Sequence, residues 1–168
     1  MRDKKALLIT QAAMIAALYV VLTLLANALG LANYAIQVRF SEALTILPFF
    51  TPAAIPGLTI GCALSNLLTG CLPLDVLFGS AATLIGATGT YLLRKCKYAA
   101  PIPPIAANTL IVPFVLAYVY RLEGSVPYFM LTVGIGEIIS CGILGMLLLG
   151  VLNKYRSVLF EPHDTGKI

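Results

Sequence analysis

Apolar residues fill five stretches of the chain, roughly 6–29, 41–70, 74–93, 102–120 and 127–152, and most charged side chains fall between or beyond them. Such runs approach or exceed the ~20 residues that a helix needs to cross a bilayer, so each predicts membrane-spanning helix. The second stretch breaks the pattern. Pro48, Pro52, Pro56 and Gly57 crowd into it, which predicts two short helices turning near Thr51 and Pro52 rather than one straight span.

Basic residues constrain how often this stretch crosses. Arg2, Lys4 and Lys5 mark the amino terminus as cytoplasmic, and Arg94, Lys95 and Lys97 mark the segment after the third stretch in the same way. An even number of crossings must separate the two. Residues 41–70 therefore cross twice, or enter and leave on one side as a re-entrant hairpin. Two crossings give six transmembrane helices with both termini inside, nine basic residues on the cytoplasmic side and only Arg39 and Arg121 outside. The expectation is an all-α integral protein of the cell membrane, a six-helix transmembrane bundle forming a single domain over residues 1–168.

Composition supports the class. Hydrophobic residues make up 60% of the chain and charged residues 11%, with a mean hydropathy of +0.95, values that a water-soluble domain of 168 residues would carry only with a very large exposed apolar surface. The net charge of +4 reflects the cytoplasmic excess of Lys and Arg, so the surrounding partner is membrane lipid and not nucleic acid. Ala26-Asn27-Ala28 resembles a signal-peptide cleavage site, but the apolar run before it is longer than the usual ~7–15 residues. Cys62, Cys71, Cys96 and Cys141 show no metal-ligand spacing and read as small packing residues.

Against this background Glu137 stands out as the only charged side chain between Pro127 and Leu152. A carboxylate is costly to place in a membrane helix, so it points to a ligand or a paired partner helix, and Gly134 and Gly136 beside it leave room for either to approach. Other polar residues gather toward the predicted outer side: Asn33, Tyr34, Gln37, Arg39 and Glu42 after the first stretch, with Asn66 and Asp75 about the next outer turn. They predict an outward-opening pocket floored by Glu137 and rimmed by Glu42, Asp75 and Asn66, with Tyr34, Phe40, Phe78 and Tyr128 as candidate aromatic walls. The structural alternatives are interface anchoring for the aromatics, mutual neutralisation for Arg39 and Glu42, and helix capping for Asp75. Asn108 reads as an interhelical structural amide.

Missing motifs narrow the chemistry further. The chain has no GxxxxGK[ST] phosphate loop, no HExxH pair and no GxSxG elbow, and its one histidine, His163, lies in the polar tail. Catalysis is not expected, nor is a cofactor or a metal. In the first stretch Ala12, Ala13, Ala16 and Ala17 form overlapping small-xxx-small pairs, a smooth face for packing within the bundle or for a partner subunit.

The chain resembles the queuosine-precursor transporter (QueT) family, the substrate-binding S components of energy-coupling-factor (ECF) transporters. The resemblance runs through Gln37-Val38-Arg39-Phe40-Ser41-Glu42-Ala43-Leu44-Thr45-Ile46-Leu47-Pro48-Phe49-Phe50, Ala54-Ile55-Pro56-Gly57-Leu58, Leu64-Ser65-Asn66-Leu67-Leu68, Asp75-Val76-Leu77-Phe78-Gly79-Ser80 and Gly134-Ile135-Gly136-Glu137. It implies six helices, a pocket near the outer face, and an alanine face that meets a transmembrane coupling subunit driven by two cytoplasmic ATPases. It also implies a deazaguanine ligand, such as queuine or its aminomethyl precursor. Glu137 suits the adjacent N–H donors of a guanine-like edge, and Glu42 or Asp75 suits an aminomethyl cation. Asn66 or Gln37 would donate to the base carbonyl, and Tyr34 or Phe78 would stack on the ring. The turn Thr69-Gly70-Cys71-Leu72-Pro73 is where selectivity between related bases would be altered. The competing reading is a proton-coupled secondary transporter acting as a homodimer, with Glu137 as proton carrier.

Overall fold

In a computed structural model, residues 2–31 and 38–156 are described, with side chains from Lys4 onward; Tyr34, Gln37 and Asn33 lie outside them. Helix α1 (Arg2–Ala28) is followed by a 3-10 helix (Phe40–Phe49), α2 (Ala54–Leu68) and α3 (Pro73–Leu92). Helix α4 (Ile102–Phe114) runs on through a π-helical stretch (Val115–Val119). Helices α5 (Val126–Glu137) and α6 (Gly145–Lys154) are joined by a second π stretch (Ile138–Leu144) into one rod. No strand occurs among the described residues. Lys4–Ala28, Lys97–Val119 and Val126–Lys154 are long and apolar enough to cross a membrane.

The proline-rich stretch does form two separate helices, as its breakers predict, but the first is of the 3-10 type. Pro48 ends its buried part, whereas Pro56 stands in the first turn of α2, where a missing N–H leaves no helical bond unmade. Contacts with α1 give the two directions. Ser41 accepts a hydrogen bond from Thr23 while Thr51 donates to Gln11, so the 3-10 helix descends along α1. A Cβ on Gly57 would meet Ala12 and one on Gly61 would meet Ala16 and Tyr19, so α2 climbs back beside α1. At ~2 Å per residue the 3-10 helix spans about 20 Å, short of the ~30 Å hydrocarbon thickness. It is accordingly the inner element: every residue from Ser41 to Pro48 is buried.

Close approaches depend on glycine. A Cβ on Gly57 would lie 2.7 Å from the Ala12 carbonyl oxygen, and one on Gly86 of α3 would lie 2.7 Å from Pro104 Cα of α4, so any side chain at either position would force the helices apart. Gly70 closes α2 at φ +77°, with Cys71 N–H donating to the Asn66 carbonyl and Gly70 N–H to that of Leu67. This Schellman turn fixes the short link into α3 and brings Asn66 and Asp75 to the same end of the bundle.

Candidate functional site

Two carboxylates meet inside the bundle. Glu42 comes from the 3-10 helix and Glu137 from the last turn of α5, both buried. Oxygens of the two, together with Cys141 Sγ, lie within 4.8 Å of one another. Buried carboxylates require donors, and three elements supply them. Asn108 Nδ2 of α4 donates to Glu137 Oε1 at 2.9 Å and lies 3.4 Å from Glu42 Oε2. Tyr19 of α1 donates its hydroxyl to Glu42 Oε1. The Cys141 thiol lies 3.1 Å from Glu137 Oε2 and also touches Thr45 and the Glu42 carbonyl. The π stretch that begins just after Glu137 helps to place these groups, because its wider turn holds Ser140 and Cys141 inward together, and Ser140 takes the Arg39 backbone N–H.

Glu42, Asn108 and Glu137 line a deep chamber of about 30 Å³, bounded also by Cys62, Gly79 and Thr83. A larger chamber of about 270 Å³ lies at the bundle end where the close of α1, the Gly70 turn and the Tyr120–Leu122 segment converge, with Asn27, Asn66, Thr69 and Tyr120 in its wall. Arg39, Asp75 and Val112 line both, so the two chambers adjoin there and together make one slot. Asp75 Oδ2 accepts from Tyr120 at 2.7 Å, and the same hydroxyl accepts the Leu72 N–H, which ties α4 to the start of α3.

The expected site residues divide. Glu137, Glu42, Asp75, Asn66 and Arg39 come together in the slot, though Glu42 sits beside Glu137 at the bottom and not at the rim. Asp75 does not cap its helix; its carboxylate is held by Tyr120. Arg39 and Glu42 share a face, but their side chains form no ion pair among the described residues, because Tyr19 and Asn108 occupy Glu42 instead. Phe78 is 44% exposed and Tyr128 is exposed as well, and neither lines the slot, so the wall expected from Phe78 is absent there. Tyr34 and Gln37 fall outside the described residues.

Several contributors were not read from the sequence. Asn108 is the interhelical amide expected, but the sequence did not show that its partners are the two carboxylates; it is the only carboxamide in the apolar run 102–120. Tyr19, Cys141 and Tyr120 had no distinguishing pattern, since a lone tyrosine or cysteine in an apolar helix is ordinarily a packing residue. A Cβ on Gly134 would meet Thr109 of α4 at 3.5 Å, an ordinary contact, so the packing of α5 on α4 does not itself require glycine there.

Long apolar helices around a buried, carboxylate-lined slot define a membrane protein built to hold a small polar molecule. The chain belongs to the QueT transporter family, whose model matches residues 9–154. Over 85 residues it is 38% identical to the queuosine precursor transporter QueT of Lactococcus lactis subsp. cremoris (strain MG1363), a match covering 51% of this chain and 50% of that relative. No solved structure matches.

Proposed function

We propose that this chain is the substrate-binding S component of an ECF-type importer in the bacterial cell membrane, one domain of six crossings with both termini inside. Its ligand is a deazaguanine precursor of queuosine taken from outside. The observation that carries the reading is the two-chamber slot. Only the 270 Å³ chamber has room for a bicyclic ring, and the 30 Å³ chamber below it ends in two carboxylates that call for a donor-bearing group. Asn66 and Asp75 flank the ring, Tyr120 offers an aromatic wall, and Arg39, where the two chambers adjoin, has five N–H donors for a base carbonyl.

Energy would come from partners. An apolar groove of about 1140 Å³ runs along α1 and α2, lined by Ala12, Ala13, Ala16 and Ala17 with Pro52 and Pro56. Within it Ala12 and Ala16 pack on α2 while Ala13 and Ala17 are exposed, so Ala13 and Ala17 are the alanines left to meet a transmembrane coupling subunit and its two ATPases. The test is a thermal-stability and calorimetric titration of the detergent-solubilised chain with deazaguanine bases, followed by uptake in cells with and without the coupling subunits. Ligand-dependent stabilisation and uptake that requires ATPase subunits are expected. Uptake by the chain alone under a proton gradient would replace this reading with the proton-coupled one.

A further inference from the structure

We infer that the group seated in the deep chamber is a primary ammonium carried by the ligand, so that the base enters amine-first and leaves its ring in the mouth chamber. This rests on the reading of the ligand as a deazaguanine base. Size is the first argument. The deep chamber, at about 30 Å³, has room for a water-sized group and none for a fused ring. An ammonium is that compact, and its three N–H donors radiate from one nitrogen, whereas a ring edge delivers its donors along a line that the surrounding helices would have to part to admit.

Charge is the second. The deep chamber is lined by three carboxylates, Glu42, Asp75 and Glu137, against the single guanidinium of Arg39, which forms no ion pair among the described residues. Two adjacent buried carboxylates repel, so they either share a proton or hold a cation between them, and an ammonium would take the place of that proton. Acceptor capacity remains for it. Each of the four carboxylate oxygens of Glu42 and Glu137 has one donor in these contacts, and a carboxylate oxygen accepts about two.

The third argument is what the mouth chamber leaves for the ring. Asn66 is only 3% exposed, yet its carboxamide makes just one weak contact, at 3.8 Å to Cys62 Sγ, and its oxygen accepts no hydrogen bond from the described residues. Asp75 Oδ1, near it, has no hydrogen-bond donor among the described residues, while Oδ2 is held by Tyr120. Gly79 keeps this wall open: a Cβ there would come within 3.1 Å of Asn66 Nδ2 and 3.8 Å of Asp75 Oδ1. A carboxamide beside a carboxylate complements the carbonyl and adjacent N–H groups of a guanine-like edge, which frees Glu42 and Glu137 for the amine.

The test uses the purified full-length chain and two matched probes, 7-aminomethyl-7-deazaguanine and 7-cyano-7-deazaguanine, titrated calorimetrically at neutral pH. The aminomethyl base should bind wild type at least about tenfold more tightly, as expected for a charge-assisted contact. Glu42→Gln and Glu137→Gln should each erase most of that preference while leaving the cyano base within about threefold, and Asp75→Asn should weaken both probes alike. Equal affinity of wild type for the two probes overturns the inference and leaves the deazaguanine reading standing, a comparison that needs no variant to fold. Parallel loss of both probes in the folded Glu137→Gln protein overturns it too, by putting the ring edge on that carboxylate. Binding of neither probe overturns both the inference and the deazaguanine assignment.

Discussion

Asn108 illustrates how much one amide does in a buried polar cluster. Its one nitrogen donates to both carboxylates, at 2.9 Å to Glu137 and 3.4 Å to Glu42. Asn108→Leu keeps the bulk and removes the donor, so it should destabilise the protein by about 1–3 kcal/mol, the cost of leaving buried acceptors unmatched. Asn108→Asp should cost more, since it adds a third carboxylate to the cluster. Thermal unfolding in detergent checks both. An unchanged midpoint in each would mean that water or ligand, not Asn108, satisfies the pair. At this scale Glu137 was legible from the sequence because charge in an apolar helix is costly, and Glu42 was placed at the rim of the same pocket, but their direct pairing was not legible, because the two residues lie 95 positions apart on different elements.

Among the elements, α1 and α2 show what small residues do in two directions at once. Ala16 is buried against Gly61, whereas Ala13, on the neighbouring row of the same helix, is exposed. Ala13→Leu should therefore leave folding and ligand binding near wild type while co-purification with coupling subunits and ATP-dependent uptake fall together. Gly57→Val and Ala16→Leu should instead destabilise the chain by about 1–3 kcal/mol through overpacking. Leu at Val21, already bulky and 60% exposed, is the control. If Ala13→Leu retains full complex assembly and uptake, the groove is not a docking surface. The alanine spacing announced a smooth face in sequence, yet which alanines turn inward depends on where the glycines of α2 lie against them.

For the whole molecule, the mouth chamber gathers the end of α1, the turn after α2 and the loop between α4 and α5, the same three connections that the basic asymmetry puts outside. The chain carries its own reporters of this arrangement: Cys71 lines the mouth chamber, and Cys96 is exposed in the basic segment after α3. A membrane-impermeant maleimide added to intact cells should modify Cys71, more slowly when a ligand occupies the slot, and should reach Cys96 only after permeabilisation. Modification of Cys96 from outside would overturn the orientation with both termini in the cytoplasm.

The sequence by itself determined the class, an all-helical membrane protein, and where its apolar stretches break. Apolar run length, breaker residues and the placement of Lys and Arg are local properties, and the membrane converts them directly into helices and turns. It also singled out Glu137, since a lone carboxylate in an apolar run is costly wherever the helix packs. Only the tertiary structure decided that residues 40–49 wind as a 3-10 helix through the centre, carrying Glu42 down to Glu137, and that Asn108, Tyr19 and Cys141 complete the cluster. It likewise turned Phe78 away from the slot and put Tyr120 in the wall. The reason is that helix rotation and depth are set by glycine-mediated contacts between segments distant in the chain, and a shift of one residue there redirects every side chain on the helix.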